Sequence, residues 1–375
     1  MMSWRGVAIL GLLCLHLGAW AHKASDSYLV VDVQGTAVTA QWDIALRDID
    51  FAMGLDSDGN GEITWGELRA HQAPLQAWAL SRLELERAGP CALNVASIQV
   101  DSHTDGAYAV LHLTGLCPGA TGALGLRYRL LFELDNLHRG LLRLTLDGTT
   151  HSTVLGPGSG LLRFNAGEVS KGLQFQQYLV EGIWHIWMGF DHILFLLSLL
   201  LPAVLVYTGN QWRGTPRLGV AVREVLWVVT SFTAAHSVTL SLAALGLISL
   251  PSRLVESVIA LSVVLAAANN VWPVVAHRRW VVAFCFGLIH GFGFASVLAE
   301  LGLPTDALAV SLVGFNVGVE VGQMAIVAAF LPLAFVLRNT RFYQRGVFVG
   351  GSVLTMLVAA LWLAERALDI KLLSG

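Results

Sequence analysis

The chain has 375 residues, of which 55% are hydrophobic and only 13% charged, with a formal net charge of −3. A water-soluble globule carries about 25% charged residues, so this composition excludes one that is soluble throughout. The expected surroundings are a lipid bilayer, not nucleic acid; the sequence leaves any protein partner open.

In chain order, Arg5 precedes an apolar run from Val7 to Leu17, and Ala19-Trp20-Ala21 follows with the small-x-small pattern of a signal-peptidase site. The run is too short to span as a helix. Leu13 before Cys14 is bulky where a lipoprotein signal has a small residue. Residues 1–21 are thus predicted to be a cleaved signal peptide. His22 would begin the mature chain, and its amine and imidazole together could chelate a metal ion.

Residues 22–170 contain no bilayer-length apolar run and read as an exported, β-rich domain. Within it, DSDGNGEITWGE matches the twelve-residue calcium loop position by position. Asp56, Asp58 and Asn60 fall at positions 1, 3 and 5, with Gly61 at the turn. Glu62 offers its carbonyl, Thr64 takes position 9 and Glu67 is the bidentate carboxylate at position 12. Ca2+ is the cofactor expected there. The plainer reading is a polar turn that caps the next helix.

Trp65 to Arg87 is predicted as one helix, with Leu68, Leu75, Trp78, Ala79 and Leu83 at helical spacing. Predicted strands are Tyr28–Val33, Ala37–Ile44, Leu93–Val100, Ala107–Leu113, Leu124–Leu134, Leu141–Leu146 and Thr150–Val154. The fold expected is a β-sandwich with an EF-hand-like helical insertion. Export to an oxidising compartment favours a disulfide between Cys91 and Cys117. The domain's 17 acidic and 10 basic residues either concentrate cations near the membrane or form a solvated acidic surface.

From residue 171 the chain is predicted to be a six-helix transmembrane bundle, with apolar segments at 178–206, 224–247, 254–272, 280–300, 308–337 and 345–368. Arg213, Arg217, Arg223, Arg278, Arg279, Arg338, Arg341 and Arg345 cluster on one side of these segments; Arg253, Arg366 and Lys371 lie on the other. The positive-inside tendency then puts both the exported domain and the C-terminus outside.

Ionisable residues interrupt the apolar segments: His185, Asp191 and His192 in the first, His236 in the second, His290 in the fourth, and Glu320 with Asn316 and Gln323 in the fifth. Such groups are expensive in a bilayer and ordinarily face a bundle interior or a wet cavity. Counted from the segment starts at 1.5 Å per residue, His192, His236, His290 and Glu320 share a similar depth. In a straight helix His185 would lie two turns above His192, nearer the outer edge. Asp191 is expected to reach a neighbouring helix or to hold the second ring nitrogen of a histidine. Ser237 is a weaker supporting candidate. Gly314, Gly318 and Gly322 form a small-residue stripe opposite Asn316, Glu320 and Gln323.

At these residues the sequence resembles the HupE/UreJ family: H-x5-D-H at His185, Asp191 and His192, then FTxAHS around His236, FGLIHGFGFA around His290 and FNxGVExGQ around Glu320. The exported domain with its calcium-type loop is similar to the larger branch of that family. The resemblance implies a bacterial inner-membrane protein associated with nickel or cobalt permeation, with His185, Asp191 and His192 as selectivity or entrance ligands.

The leading expectation is a permease for a divalent transition metal. The alternative is an intramembrane zinc hydrolase in which His192, His236 and His290 hold Zn2+ and Glu320 or Asp191 is the general base. A third is a metal-responsive scaffold whose exported domain docks a partner.

Overall fold

The computed structural model describes residues 25–103, 106–167, 170–293 and 305–368. The predicted signal peptide and His22 lie outside the described residues.

Alternating apolar residues drive the first half. β1 (Asp26–Gln34) and β2 (Ala37–Ala45) pair antiparallel and turn Leu29, Val31, Trp42 and Ile44 to one face. The chain then forms α1 (Leu46–Met53), α2 (Trp65–Ala70), α3 (Gln72–Leu80) and β3 (Leu83–Glu86). β4 (Ala92–His103), β5 (Gly106–Leu116), β6 (Leu124–Tyr128), β7 (Arg139–Leu146), β8 (Thr149–Leu155) and β9 (Leu161–Phe164) follow. The larger sheet runs β4-β5-β2-β1-β7-β8, with β1 and β7 parallel, and the smaller runs β3-β6-β9. Leu29, Trp42, Leu111 and Leu142 of the larger sheet share one core with Leu83, Leu85, Leu124 and Leu126 of the smaller. The Cys91–Cys117 disulfide, with Cα atoms 4.1 Å apart, ties the start of β4 to the end of β5.

Two expectations are corrected here. The predicted Trp65–Arg87 helix is two short helices followed by a strand. Leu83 and Leu85 are buried in the core while Glu84 faces Arg127 and Arg129, so period 2 wins over the helical period once β6 is available to pair. The predicted strand Leu124–Leu134 stops at Tyr128, and α1 went unforeseen.

The membrane half begins with α4 (Lys171–Met188) and α5 (Phe190–Leu200), joined at Gly189 with a bend of 72°. A hairpin, β10 (Leu205–Thr208) and β11 (Gln211–Gly214), leads to α6 (Leu218–Ala244), α7 (Ser252–Val271) and α8 (Arg279–His290). α9 (Thr305–Leu337) and α10 (Phe342–Leu368) complete the described chain. α6, α7, α9 and α10 are each long and apolar enough to cross a membrane, and the bent α4–α5 pair passes the same test as one unit. The predicted segment 280–300 begins as α8 and then runs into residues outside those described.

Small residues set the helix spacing. A Cβ at Gly182 would overlap the Phe315 carbonyl and one at Gly318 the Leu179 carbonyl, so α4 and α9 touch backbone to backbone. Gly287 and Gly291 do the same for α8 against Phe232 and His236 of α6. The β-rich domain contacts α4 near the start of α9: Gln174 Nε2 donates to Ser152 Oγ at 2.9 Å and to the Ala307 carbonyl at 3.1 Å, and Arg139 pairs with Glu181 at 3.6 Å.

Candidate metal centre

The bend at Gly189 is what gathers the histidines. Seven residues of continuous helix would separate His185 and His192 by roughly 10 Å along the axis. Instead their ring centroids are 4.5 Å apart. This corrects the expectation of an outer and an inner histidine two turns apart. Glycine is required at the break because a Cβ there would lie 2.8 Å from both the His185 carbonyl and His192 Nδ1.

His236 of α6 completes a group in which His185, His192 and His236 each offer a nitrogen within 4.8 Å of the others. The His290 ring of α8 packs 5.4 Å from His192, between Phe195 at 4.7 Å and Phe232 at 5.3 Å. His236 and His290 are fully buried and His192 is 6% exposed.

Hydrogen bonds fix which nitrogen of three of these rings carries the proton. His192 Nδ1 lies 3.0 Å from Asp191 Oδ1, which as a carboxylate accepts. Asn316 Nδ2 donates to the Leu312 carbonyl at 2.8 Å, so its Oδ1 is the atom that faces His236 Nδ1 at 3.3 Å and accepts from it. Ser262 Oγ lies 2.6 Å from the Ile259 carbonyl and 2.9 Å from His290 Nε2. A carbonyl only accepts, so the single hydroxyl proton goes to Ile259 and His290 Nε2 must donate. The remaining nitrogens, His192 Nε2, His236 Nε2 and His290 Nδ1, are therefore lone-pair acceptors. They are buried and make no hydrogen bond among the described residues.

Of the two roles expected for Asp191, it is the ring nitrogen of a histidine, its neighbour His192, that it holds; its Oδ1 also accepts from the His192 backbone at 2.9 Å. Glu320 takes the Thr230 hydroxyl at 2.9 Å, six residues before His236 on α6, roughly 9 Å along that helix. It shares the α6–α9 seam with the cluster without joining the three-histidine group. Gln323 accepts from Thr233 at 3.3 Å on the same seam. Ser237 returns its hydroxyl to the Thr233 carbonyl of its own helix at 2.7 Å. Ser262, Thr230 and Thr233 were not singled out from sequence. A serine or threonine on an apolar helix ordinarily bonds back to its own backbone, so residue type gave no signal.

In the β-rich domain, carboxylate oxygens of Asp56, Asp58 and Glu67 also lie within 4.8 Å of one another. These oxygens are already engaged. Asp56 accepts from Gly59 and Gly61 N–H groups at 2.8 Å, and Glu67 accepts from Ser57 and Thr64 N–H groups at 2.8 Å. Asn60 bonds Asp58 at 3.0 Å, Glu62 N donates to Asn60 at 2.7 Å, and Thr64 with Glu67 forms a capping box on α2. Hydrogen bonds from Thr64, then Ser57, hold the Glu67 carboxyl below its usual range.

A family profile described as HupE / UreJ protein matches residues 163–366, more than half of the chain and nearly all of its described membrane part. The chain belongs to that family. No curated relative matches it.

Proposed function

We propose that this HupE/UreJ family protein is a membrane permease for a divalent transition metal ion, nickel or cobalt by family association, and that the histidine cluster binds the ion as cargo. The observation that carries the reading is the group His185, His192 and His236, whose ring nitrogens lie within 4.8 Å of one another and in which His192 Nε2 and His236 Nε2 are buried acceptors on rings held by a partner at the other nitrogen. A buried acceptor left unmade costs about 1–3 kcal/mol. A cation that takes the lone pairs removes that cost, and divalent ions from cobalt to zinc accept neutral imidazole. Second-nitrogen partners are also what metal-binding histidines ordinarily use to fix ring and tautomer.

Charge argues for passage over residence. Asp191 is the carboxylate hydrogen-bonded to the cluster among the described residues, so a bound divalent ion keeps net positive charge in an apolar setting and is readily released. A hydrolase would need a carboxylate at liberty to take a proton, and Asp191 and Glu320 already serve His192 and Thr230. In this reading the exported domain carries Ca2+ in the loop Asp56–Glu67 for stability, and it and the C-terminus lie outside.

The test is multi-element analysis of cells expressing the chain or His192→Ala at matched membrane abundance. A several-fold change in nickel or cobalt content with the wild type alone is expected. Identical element profiles would remove the transport reading.

A further inference from the structure

Two rings of the three-histidine group are oriented by different means. Asp191 holds His192 from the adjacent position in sequence, whereas the partner of His236 comes from another helix. We infer that Asn316 of α9 is a positioning residue for the cargo site: its side-chain oxygen holds His236 as the Nδ1–H tautomer, so that Nε2 is the atom presented to the ion. The inference rests on the metal-binding reading of His185, His192 and His236.

The Asn316 amide has a fixed sense. Its Nδ2 donates to the Leu312 carbonyl, one turn back on α9, at 2.8 Å, which leaves Oδ1 to face His236 Nδ1 at 3.3 Å. An amide oxygen has no proton to give, so the imidazole N–H lies on Nδ1. His236 is fully buried, and its Nε2 makes no hydrogen bond among the described residues. Phe232 and Phe315 flank the ring, with centroids 6.0 and 6.5 Å away, and neither side chain has an atom that could hold a ring nitrogen. Close packing sets where the amide stands. Gly314 and Gly318 bracket Asn316, and a Cβ at either would overlap the Phe175 or Leu179 carbonyl of α4. α9 is thereby seated against the helix that carries His185, while Asn316 reaches the helix that carries His236. One side chain thus sets the proton position of the His236 ring and ties it to the His185 helix. Orienting partners of metal-bound histidine are worth roughly 10–100-fold in affinity.

The experiment uses the full chain in nanodiscs, labelled with nitrogen-15 histidine, and Zn2+ as a diamagnetic probe. In the metal-free wild type, His236 should show a protonated Nδ1 and a bare Nε2, and added Zn2+ should shift that Nε2. Asn316→Ala should lower Zn2+ affinity by roughly 10–100-fold and give His236 a mixture of ring states. Asn316→Asp keeps an oxygen facing Nδ1 and should retain both the tautomer and the affinity. A wild-type His236 protonated at Nε2 would overturn the inference without any variant having to fold. Asn316→Ala with wild-type affinity and an unchanged His236 spectrum would overturn it as well. If Zn2+ shifts His185 and His192 but not His236, the positioning role falls and metal binding stands. If Zn2+ shifts no histidine, both fall.

Discussion

In the loop Asp56–Glu67 the carboxylates spend their lone pairs on their own backbone, whereas in the membrane cluster the Nε2 atoms of His192 and His236 spend none among the described residues. The loop closes on itself through contacts between residues two to ten apart. The cluster is held by Asn316 and Ser262, 80 and 28 residues from the histidines they orient, and by a break in the helix that carries two of its rings. A site whose acceptors are locally satisfied holds its shape with or without an ion. A site whose acceptors are buried and unspent is poised for one. The first suits a stabilising module and the second suits cargo.

The sharpest way to break this contrast is to remove an unspent acceptor. His192→Ala should reduce nickel affinity of the purified full chain by at least about 100-fold, more than an orienting partner is worth, measured by titration calorimetry. Affinity within a factor of two of wild type would mean that the cluster is not the site. Next comes the bend. Gly189→Val puts side-chain carbon against His185 and His192, and metal affinity should fall roughly 10–100-fold while membrane insertion is preserved. An unaffected affinity would show that the break does not gather the rings.

The β-rich domain has its own buried histidine, which sharpens the contrast from the other side. His138 is fully buried and bonded to Ser25 and to Tyr128 at 2.7 Å, so here every ring nitrogen is engaged. Burial, aided by the Arg139 guanidinium, pushes its pKa down to about 3. Unfolded, the imidazole titrates near 6.5. Between about 3 and 6.5 the unfolded state therefore binds the extra proton, so stability is complete above 6.5 and declines as pH falls through that window. At pH 5 the loss is about 2 kcal/mol. Hydrogen exchange of β1 and β7 amides in the full chain, corrected for intrinsic rate, should show it; equal protection at pH 7 and pH 5 would count against the burial argument.

The smallest effect belongs to the loop. Glu67→Gln weakens a capping box and should lower local stability slightly. It should also abolish calcium-dependent protection of α2 and leave nickel affinity unchanged. A nickel affinity that follows Glu67 would mean that the two sites are coupled.

What could be read from sequence follows the same division. The convergence of Asp56, Asp58 and Glu67 was legible from their spacing, and the alternation of Leu29, Val31 and Val33 announced β1 without help. The glycine stripe at Gly314 and Gly318 was legible as close packing and does meet α4. The histidines were legible as a membrane constellation, but their arrangement was not. A period of 3.6 residues places His185 above His192, and only the bend at Gly189, a tertiary fact, brings the rings together. Glu320 was expected at the depth of His236, yet it meets Thr230, roughly 9 Å away along α6. Ser262 was silent because nothing local distinguishes it from any back-bonding serine. The strand Leu83–Glu86 was hidden for a related reason: its partner β6 is some forty residues away.

The most direct test of the central claim is nickel flux into proteoliposomes that hold the purified chain and an internal metal-sensitive dye. Wild type should fill the vesicles at a rate that saturates with external nickel, and His192→Ala at equal density should match empty liposomes. Equal rates for wild type, His192→Ala and empty liposomes would contradict the account.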